Sequence, residues 1–183
     1  MDERFDFSEN LVRPGGYEMA DVTSLQQILD GIAFFDGFSP EELEELLEAG
    51  KWSKASPKKR IIQQGEQDLH MYVLIQGQAE VIYNQKVIAV LNSGDIFGEV
   101  ALLMGNPRTA HVESRTECLL LAFDADNLNR LPLELQVKFL RHVLAAVFNR
   151  LQKSNIQKWL RSPRKQGSQK SPSKTLVSDS QEI

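Results

Sequence analysis

The chain has 183 residues, 42% of them hydrophobic and 25% charged, an ordinary globular composition with room for one domain and short appendages. Its single cysteine, Cys118, excludes an intrachain disulfide and any multi-cysteine metal frame, and points to a reducing compartment. No apolar run approaches the roughly 20 residues that cross a bilayer, and the start MDERFDF has neither the basic nor the apolar segment of a secretory signal. The expectation is a soluble, cytoplasmic protein with no membrane partner. The net charge of −4 hides a gradient: residues 1–50 hold 13 acids and two bases, whereas residues 154–183 hold six bases and two acids. That asymmetry reads either as solvated ends or as two interaction surfaces.

Residues 1–22 show no period and contain the turn-forming Arg13-Pro14-Gly15-Gly16, which predicts an irregular lead. Ser24 with Gln27 has capping-box spacing, and Leu25, Ile28, Leu29 and Ile32 then share one helical face. A second helix start stands at Ser39-Pro40-Glu41-Glu42: an N-cap, a proline at the first helical position and acids at the positive dipole end. Leu43, Leu46 and Leu47 form its apolar face, and Gly50 is placed to end it. From Lys58 to Phe123 the period changes. Six short β-rich runs are predicted, at Arg60–Gln63, Met71–Gln76, Ala79–Tyr83, Val87–Leu91, Ala110–Glu113 and Glu117–Phe123, separated by turn residues such as Gly65-Glu66, Asn84-Gln85 and Ser93-Gly94-Asp95. Strands at this spacing imply an antiparallel sandwich or barrel.

After Phe123 the helical period returns. Asp124 or Asp126 caps a short helix, and a long one begins near Pro132. Within it Leu133, Val137, Leu140, Leu144, Val147 and Leu151 recur at spacings of 4, 3, 4, 3, 4, an a/d seam that suits either packing on the barrel or pairing with a second copy in a homodimer. Phe139, Val143 and Phe148 widen the apolar surface. Residues 156–183 form a basic Ser/Lys-rich tail expected to be disordered, which leaves 23–155 as the domain.

The chemistry concentrates in GDIFGEVALLMGNPRTAHV, residues 94–112. Gly98 lets backbone approach a ligand closely, and the short apolar turn that follows directs backbone N–H groups at an anion. Arg108 returns after a Gly-Asn-Pro turn and offers two-pronged donors to phosphate oxygens. Glu99 accepts hydrogen bonds only, and so suits a sugar hydroxyl rather than a phosphate. An anion-seeking arginine and a hydroxyl-seeking carboxylate on one loop describe a site for a compact sugar phosphate. Elsewhere, His70, His111 and His142 lack ligand spacing, so no metal site is expected, and Cys118 reads as a buried small hydrophobe.

FGEVALL…PRTA resembles the phosphate-binding cassette of the cyclic nucleotide-binding domain family, shared by the catabolite activator protein, cyclic-nucleotide-dependent kinases and gated channels. Ile61-Ile62 with Gly65-Glu66, then Met71-Tyr72-Val73-Leu74-Ile75 with Gly77, and Gly94-Asp95 before the cassette extend the likeness over roughly residues 24–155. The resemblance implies an α+β, mainly β fold: an antiparallel β-roll or jelly-roll barrel with N-terminal helices and a long C-terminal helix. It implies that Phe97-Gly98 opens the cassette, with Gly98 the close-approach glycine, that Glu99 takes the ribose 2′-hydroxyl, and that Arg108 neutralises the cyclic phosphate. Val100, Ala101, Thr109 and Ala110 would add contacts, and Val81, Ile88 and Ala89 would line the ribose and base pocket. A hydroxyl at Thr109 occurs in members of either base preference, so cAMP and cGMP both remain open. Trp159 is either an aromatic lid over the base or an exposed residue at a helix end.

The 32 residues after Leu151 are fewer than the winged helix-turn-helix of the family's transcription factors needs. No catalytic constellation stands out. The expectation is a non-enzymatic, stand-alone cAMP or cGMP sensor, without further cofactor, that relays a movement of its C-terminal helices to an effector protein. The alternatives are a nucleotide-independent scaffold of the same fold and, less favoured, nucleic-acid association through the basic tail.

Overall fold

A computed structural model of the chain describes Leu29 and residues 31–161, with side chains as far as Ser154. The Ser24–Gln27 cap, the lead over 1–22, the tail and the side chain of Trp159 lie outside the described residues.

A 3₁₀ turn at Ala33–Phe35 leads into α1, Pro40–Ala49. Ser39 Oγ accepts from Glu42 N and the Glu42 carboxylate accepts from Ser39 N at 2.7 Å, so this start is a complete capping box. Eight strands follow: β1 Lys51–Ala55, β2 Arg60–Ile62, β3 Met71–Gln76, β4 Gln78–Tyr83, β5 Lys86–Asn92, β6 Ile96–Phe97, β7 His111–Ser114 and β8 Cys118–Phe123. Helix α2, Glu99–Met104, interrupts them after β6, and α3, Ala125–Leu128, with α4, Leu133–Arg161, closes the order. The strands form two antiparallel sheets, β1-β8-β3-β6 and β2-β7-β4-β5. The fold is therefore α+β and mainly β, a jelly-roll-like pair of sheets. The expected barrel is not closed: among the described residues, no ladder joins an edge of one sheet to an edge of the other.

Strand β3 explains how the layers stack. Met71, Val73 and Ile75 belong to one apolar cluster together with Phe34, Phe35, Leu46, Phe139 and Val143 from the helical segments. Tyr72 and Leu74 belong to a second, with Ala79, Leu91 and Val112 of the other sheet. Successive side chains of a strand point to opposite faces. One face of the first sheet thus packs on helices and the other on the second sheet, which is why MYVLIQ reads as a continuous apolar run. Strand β8 divides in the same way, Leu121 and Phe123 to the helices and Cys118, Leu120 and Ala122 to the sheets. Cys118 is buried there and free.

Three expectations change. Strand β1 lies in a stretch to which the sequence pattern assigns no element. Its residues Trp52, Ser53 and Ala55 are all buried, so it shows no polar alternation, and it is defined by pairing Lys51 to Ala55 against Ala122 to Cys118. Gly50 does end α1, but in extended backbone at φ −78° rather than a left-handed cap. A Cβ there would meet Leu121 Cδ1 at 2.4 Å, so packing against β8 explains the glycine. Helix α4 does pack on the first sheet, but through Leu135, Phe139 and Val143. Of the seam, Leu133, Val137, Leu140 and Leu144 face solvent, while Val147 is half-buried against the core.

Candidate functional site

Gly98 sits at φ +77° as the N-cap of α2, directly after the β6 strand that hydrogen-bonds to β3. A Cβ at this position would lie 2.6 Å from Arg108 Nη1 and 2.9 Å from the His70 carbonyl oxygen. The glycine is thus required twice, by the left-handed turn and by the closeness of the guanidinium.

Arg108 comes back from the loop after α2 and is pinned by its backbone: its N–H donates to Glu66 O at 2.9 Å and its carbonyl accepts from Gly65 N at 2.8 Å. The side chain then runs inward and is 4% exposed. Nη1 donates to Gly98 O at 3.0 Å, and Nη2 donates to Asp68 Oδ2 at 2.5 Å and to His70 O at 2.6 Å. Nε is buried and has no hydrogen-bond partner among the described residues. The guanidinium carbon stands 5.7 Å from the centre of the Tyr72 ring, which stacks on Phe97 at 5.0 Å. A planar cation is held in one orientation by three of its five N–H donors, which is an arrangement suited to an anion.

Asp68 is the residue that sequence reasoning missed. It accepts from Arg108 through Oδ2, engages His70 Nδ1 through Oδ1 at 2.5 Å, and receives the Tyr72 hydroxyl at 3.3 Å. Burial by itself would raise its pKa. Hydrogen bonds from His70 and Arg108, with the Arg108 charge, outweigh that and hold the carboxyl well below the usual range. Burial pushes the Tyr72 phenol far above its ordinary value, and the Asp68 charge acts in the same direction. The available signal was an acid in the turn just ahead of the β3 run, but nothing in one dimension joins it to an arginine 40 residues on.

The other expected residues are placed as follows. Glu99, in the first turn of α2, is 4% exposed, and Ala101 and Phe97 are buried with it. Val100 and Thr109 face solvent, and Ala110 is half-buried at the entry to β7. Val81 on β4 stands opposite Ala89 on β5 and Val112 on β7 in the second sheet. Ala89 is exposed, and Ile88, 60% exposed, falls beside the register shift between Val81 and Ile82. The fold thus brings Gly98 and Arg108 into contact, and Glu99 is buried in the helical turn that follows Gly98. Val81 is half-buried against the core between the sheets, whereas Ile88 and Ala89 on β5 are exposed. His111 accepts from Gln64 N at 3.0 Å, and His142 packs on Phe38 at 4.4 Å between ring centres. These two imidazoles and His70 stand on separate elements.

Residues 53–133 match the family model described as the cyclic nucleotide-binding domain. The cAMP-dependent protein kinase type II regulatory subunit of Drosophila melanogaster is 33% identical over 110 residues, 60% of this chain and 29% of that protein. The cGMP-dependent protein kinase 2 of Mus musculus is 29% identical over 122 residues, 67% of this chain and 16% of that protein. The chain therefore spans less than a third of either relative. In three dimensions a cyclic nucleotide-binding domain from Methylobacillus flagellatus superposes with a TM-score of 0.71 at 23% identity, over 86% of this chain and 93% of that one, a likeness of fold. With two antiparallel sheets, a glycine-opened turn of helix between β6 and β7, and a buried arginine returning onto that glycine, residues 53–133 belong to the cyclic nucleotide-binding domain family.

Proposed function

We propose that this chain is a non-enzymatic sensor of cAMP or cGMP that passes ligand occupancy to an effector protein. The observation that carries the reading is Arg108: a buried guanidinium, fixed by Asp68 and two carbonyls, whose Nε has no partner among the described residues. A cyclic phosphate supplies an acceptor for this donor. Glu99 takes the ribose 2′-hydroxyl, a donor that an acceptor-only carboxylate can bind. Gly98, Val100, Ala101, Thr109 and Ala110 approach the sugar phosphate with backbone and small side chains, and Phe97 supports the turn from beneath. Val81, Ile88 and Ala89 lose solvent exposure against the ribose and base. The names of the kinase relatives support both nucleotides, and the chain's own residues favour neither.

Binding shifts the chain only by the difference in affinity between two arrangements. The elements able to supply a second arrangement are α3 and α4, which follow the cassette in the chain. Cytoplasm is the compartment that fits a free thiol and an intracellular second messenger. Among the described residues, no helix is long and apolar enough to cross a membrane.

The test is calorimetric titration of the full chain with cAMP and with cGMP. Arg108→Ala should weaken binding by about 2–5 kcal/mol, roughly 30- to several-thousand-fold, because the phosphate is left unpaired in a desolvated pocket. Glu99→Gln should weaken it less, since the amide still accepts a hydrogen bond. Equal affinity in wild type and Arg108→Ala removes the cassette assignment. A wild type that binds neither nucleotide favours a scaffold of the same fold.

A second proposal rests on the exposed stripe of α4. Leu133, Leu140 and Leu144 are 69%, 45% and 69% exposed at heptad spacing, which suits pairing with a second copy of the chain.

A further inference from the structure

A line of charged groups leaves Arg108 and runs away from the cassette. Asp68 takes Arg108 on one oxygen and His70 Nδ1 on the other, each at 2.5 Å. The second ring nitrogen of His70, Nε2, faces Asp124 Oδ2 at 3.6 Å. Asp124 is the N-cap of α3: its Oδ1 accepts from Asn127 N at 2.8 Å, and its Oδ2 also takes Lys51 Nζ at 2.7 Å. One imidazole therefore stands between the carboxylate that orients the phosphate arginine and the carboxylate that starts the C-terminal helices.

The titratable and charged groups around the ring come from every element packed on it. Asp68 faces it from the β2–β3 loop, Tyr72 from β3 with ring centres 6.4 Å apart, and Asp124 from the end of β8. Lys51 on β1 and Arg108 ahead of β7 reach it through those two carboxylates. Tyr72 stays neutral because burial holds its phenol far above the ordinary value. Asp124 is held below the usual range: burial alone would raise it, but the hydrogen bonds from Lys51 and Asn127 outweigh that.

A neutral imidazole carries one N–H, so it can donate to one of these carboxylates and must present a lone pair to the other. An imidazolium donates to Asp68 and turns a second charged N–H toward Asp124, which at 3.6 Å is an ion-pair rather than a hydrogen-bond distance. The added proton also answers part of the Asp68 charge, and less of the Arg108 field is then spent on Asp68. What remains is available to an anion.

We propose that His70 is a positioning residue for anion capture at Arg108, bridging Asp68 to the helix cap Asp124, so that its protonation tightens nucleotide binding and is felt at the start of α3. The inference rests on the cyclic nucleotide reading of the cassette. It adds to that reading a proton as co-effector and a residue outside the cassette that carries it.

Two measurements on the full chain separate the parts. The first is titration calorimetry with cAMP and cGMP between about pH 5.5 and 8.5, the range in which an imidazole changes charge; the cyclic phosphodiester keeps its single charge throughout. Affinity in wild type should rise by about 3- to 10-fold from the high to the low end, a tenfold change being one pKa unit of coupling. His70→Gln should be flat across the range, near the high-pH affinity of wild type. A flat wild type, or a slope retained in His70→Gln, overturns the proposal.

The second needs no nucleotide. Two-dimensional NMR follows the carbon-bound ring protons of His70 and the amide of Asn127 as pH is varied. The Asn127 amide should move over the same interval as the His70 ring, and Asp124→Asn should uncouple them. An Asn127 amide that stays still while His70 titrates overturns the bridge, whatever the chain binds. Failure of both nucleotides to bind at any pH removes the cyclic nucleotide reading and the affinity half of the proposal with it. The NMR result then still judges the bridge alone.

Discussion

Gly98 and Arg108 are ten residues apart in the chain and in van der Waals contact in the fold, and each constrains the other. Alanine at 98 meets a left-handed φ of +77° and a backbone carbonyl, that of His70, at 2.9 Å. A guanidinium end can give way; a strand-edge carbonyl cannot without disturbing β3. Gly98→Ala should therefore lose about 1–3 kcal/mol in urea denaturation and most of the nucleotide affinity of wild type. Asp68 adds a pH dependence of known sign. Its carboxyl is depressed in the folded state, so its contribution is complete above the unfolded value near 3.8 and is lost as pH falls below it. Urea midpoints between about pH 2.5 and 7 should fall steeply at the acid end for wild type and less steeply for Asp68→Asn, which starts lower at neutral pH. The pairs 98–108 and 68–108 differ in legibility. The glycine and arginine could be read because one contiguous loop holds them in family order. The aspartate could not, because its partner is chosen by the approach of two loops.

Helix α4 shows the same division at the scale of an element. Its period, its start after Pro132 and its length follow from residue spacing, yet two apolar faces compete for the core. Phe139 is 1% exposed and packs edge-on against Phe34 and Phe123, at 5.4 and 4.9 Å between ring centres. Phe139→Ala should cost about 3–5 kcal/mol in urea denaturation. Leu144→Ala, on the exposed seam, should stay within about 0.5 kcal/mol of wild type when both are measured at a dilution where the chain is monomeric. The reverse order would mean that the seam, not the Leu135–Phe139–Val143 face, meets the sheet. The orientation is reinforced at the other end of the contact, where the Lys138 ammonium donates to the Glu42 carboxylate of the α1 capping box. The spacing of the seam is the more regular of the two patterns, and regularity alone left open whether it meets the sheet or a second copy. A strand pair with large apolar residues on one face selects the helix face that carries aromatic bulk.

At the scale of the whole molecule, the unburied stripe and the exposed residues of β5 are the surfaces on which a sensor would meet its ligand and its partners. If α4 pairs with a second copy, light scattering should give twice the chain mass for wild type. It should give the single mass for Leu140→Glu with Leu144→Glu, whose melting behaviour stays close to that of a wild-type monomer. A single mass for wild type with and without nucleotide removes the homodimer and leaves the stripe to an effector.

By itself the sequence determined that the chain is mainly β between two helical segments, and it singled out one loop, residues 94–112, as the candidate anion site. These are properties of spacing and residue type within short windows, where backbone period and turn chemistry act directly. Tertiary structure alone decided that the sheets stay open as a pair, that a strand lies at Lys51–Ala55, which face of α4 is buried, and that Arg108 is oriented by Asp68 and linked through His70 to the cap of α3. Each of those depends on what a side chain meets from a distant part of the chain, and burial, charge pairing and close packing act only once that neighbour is in place.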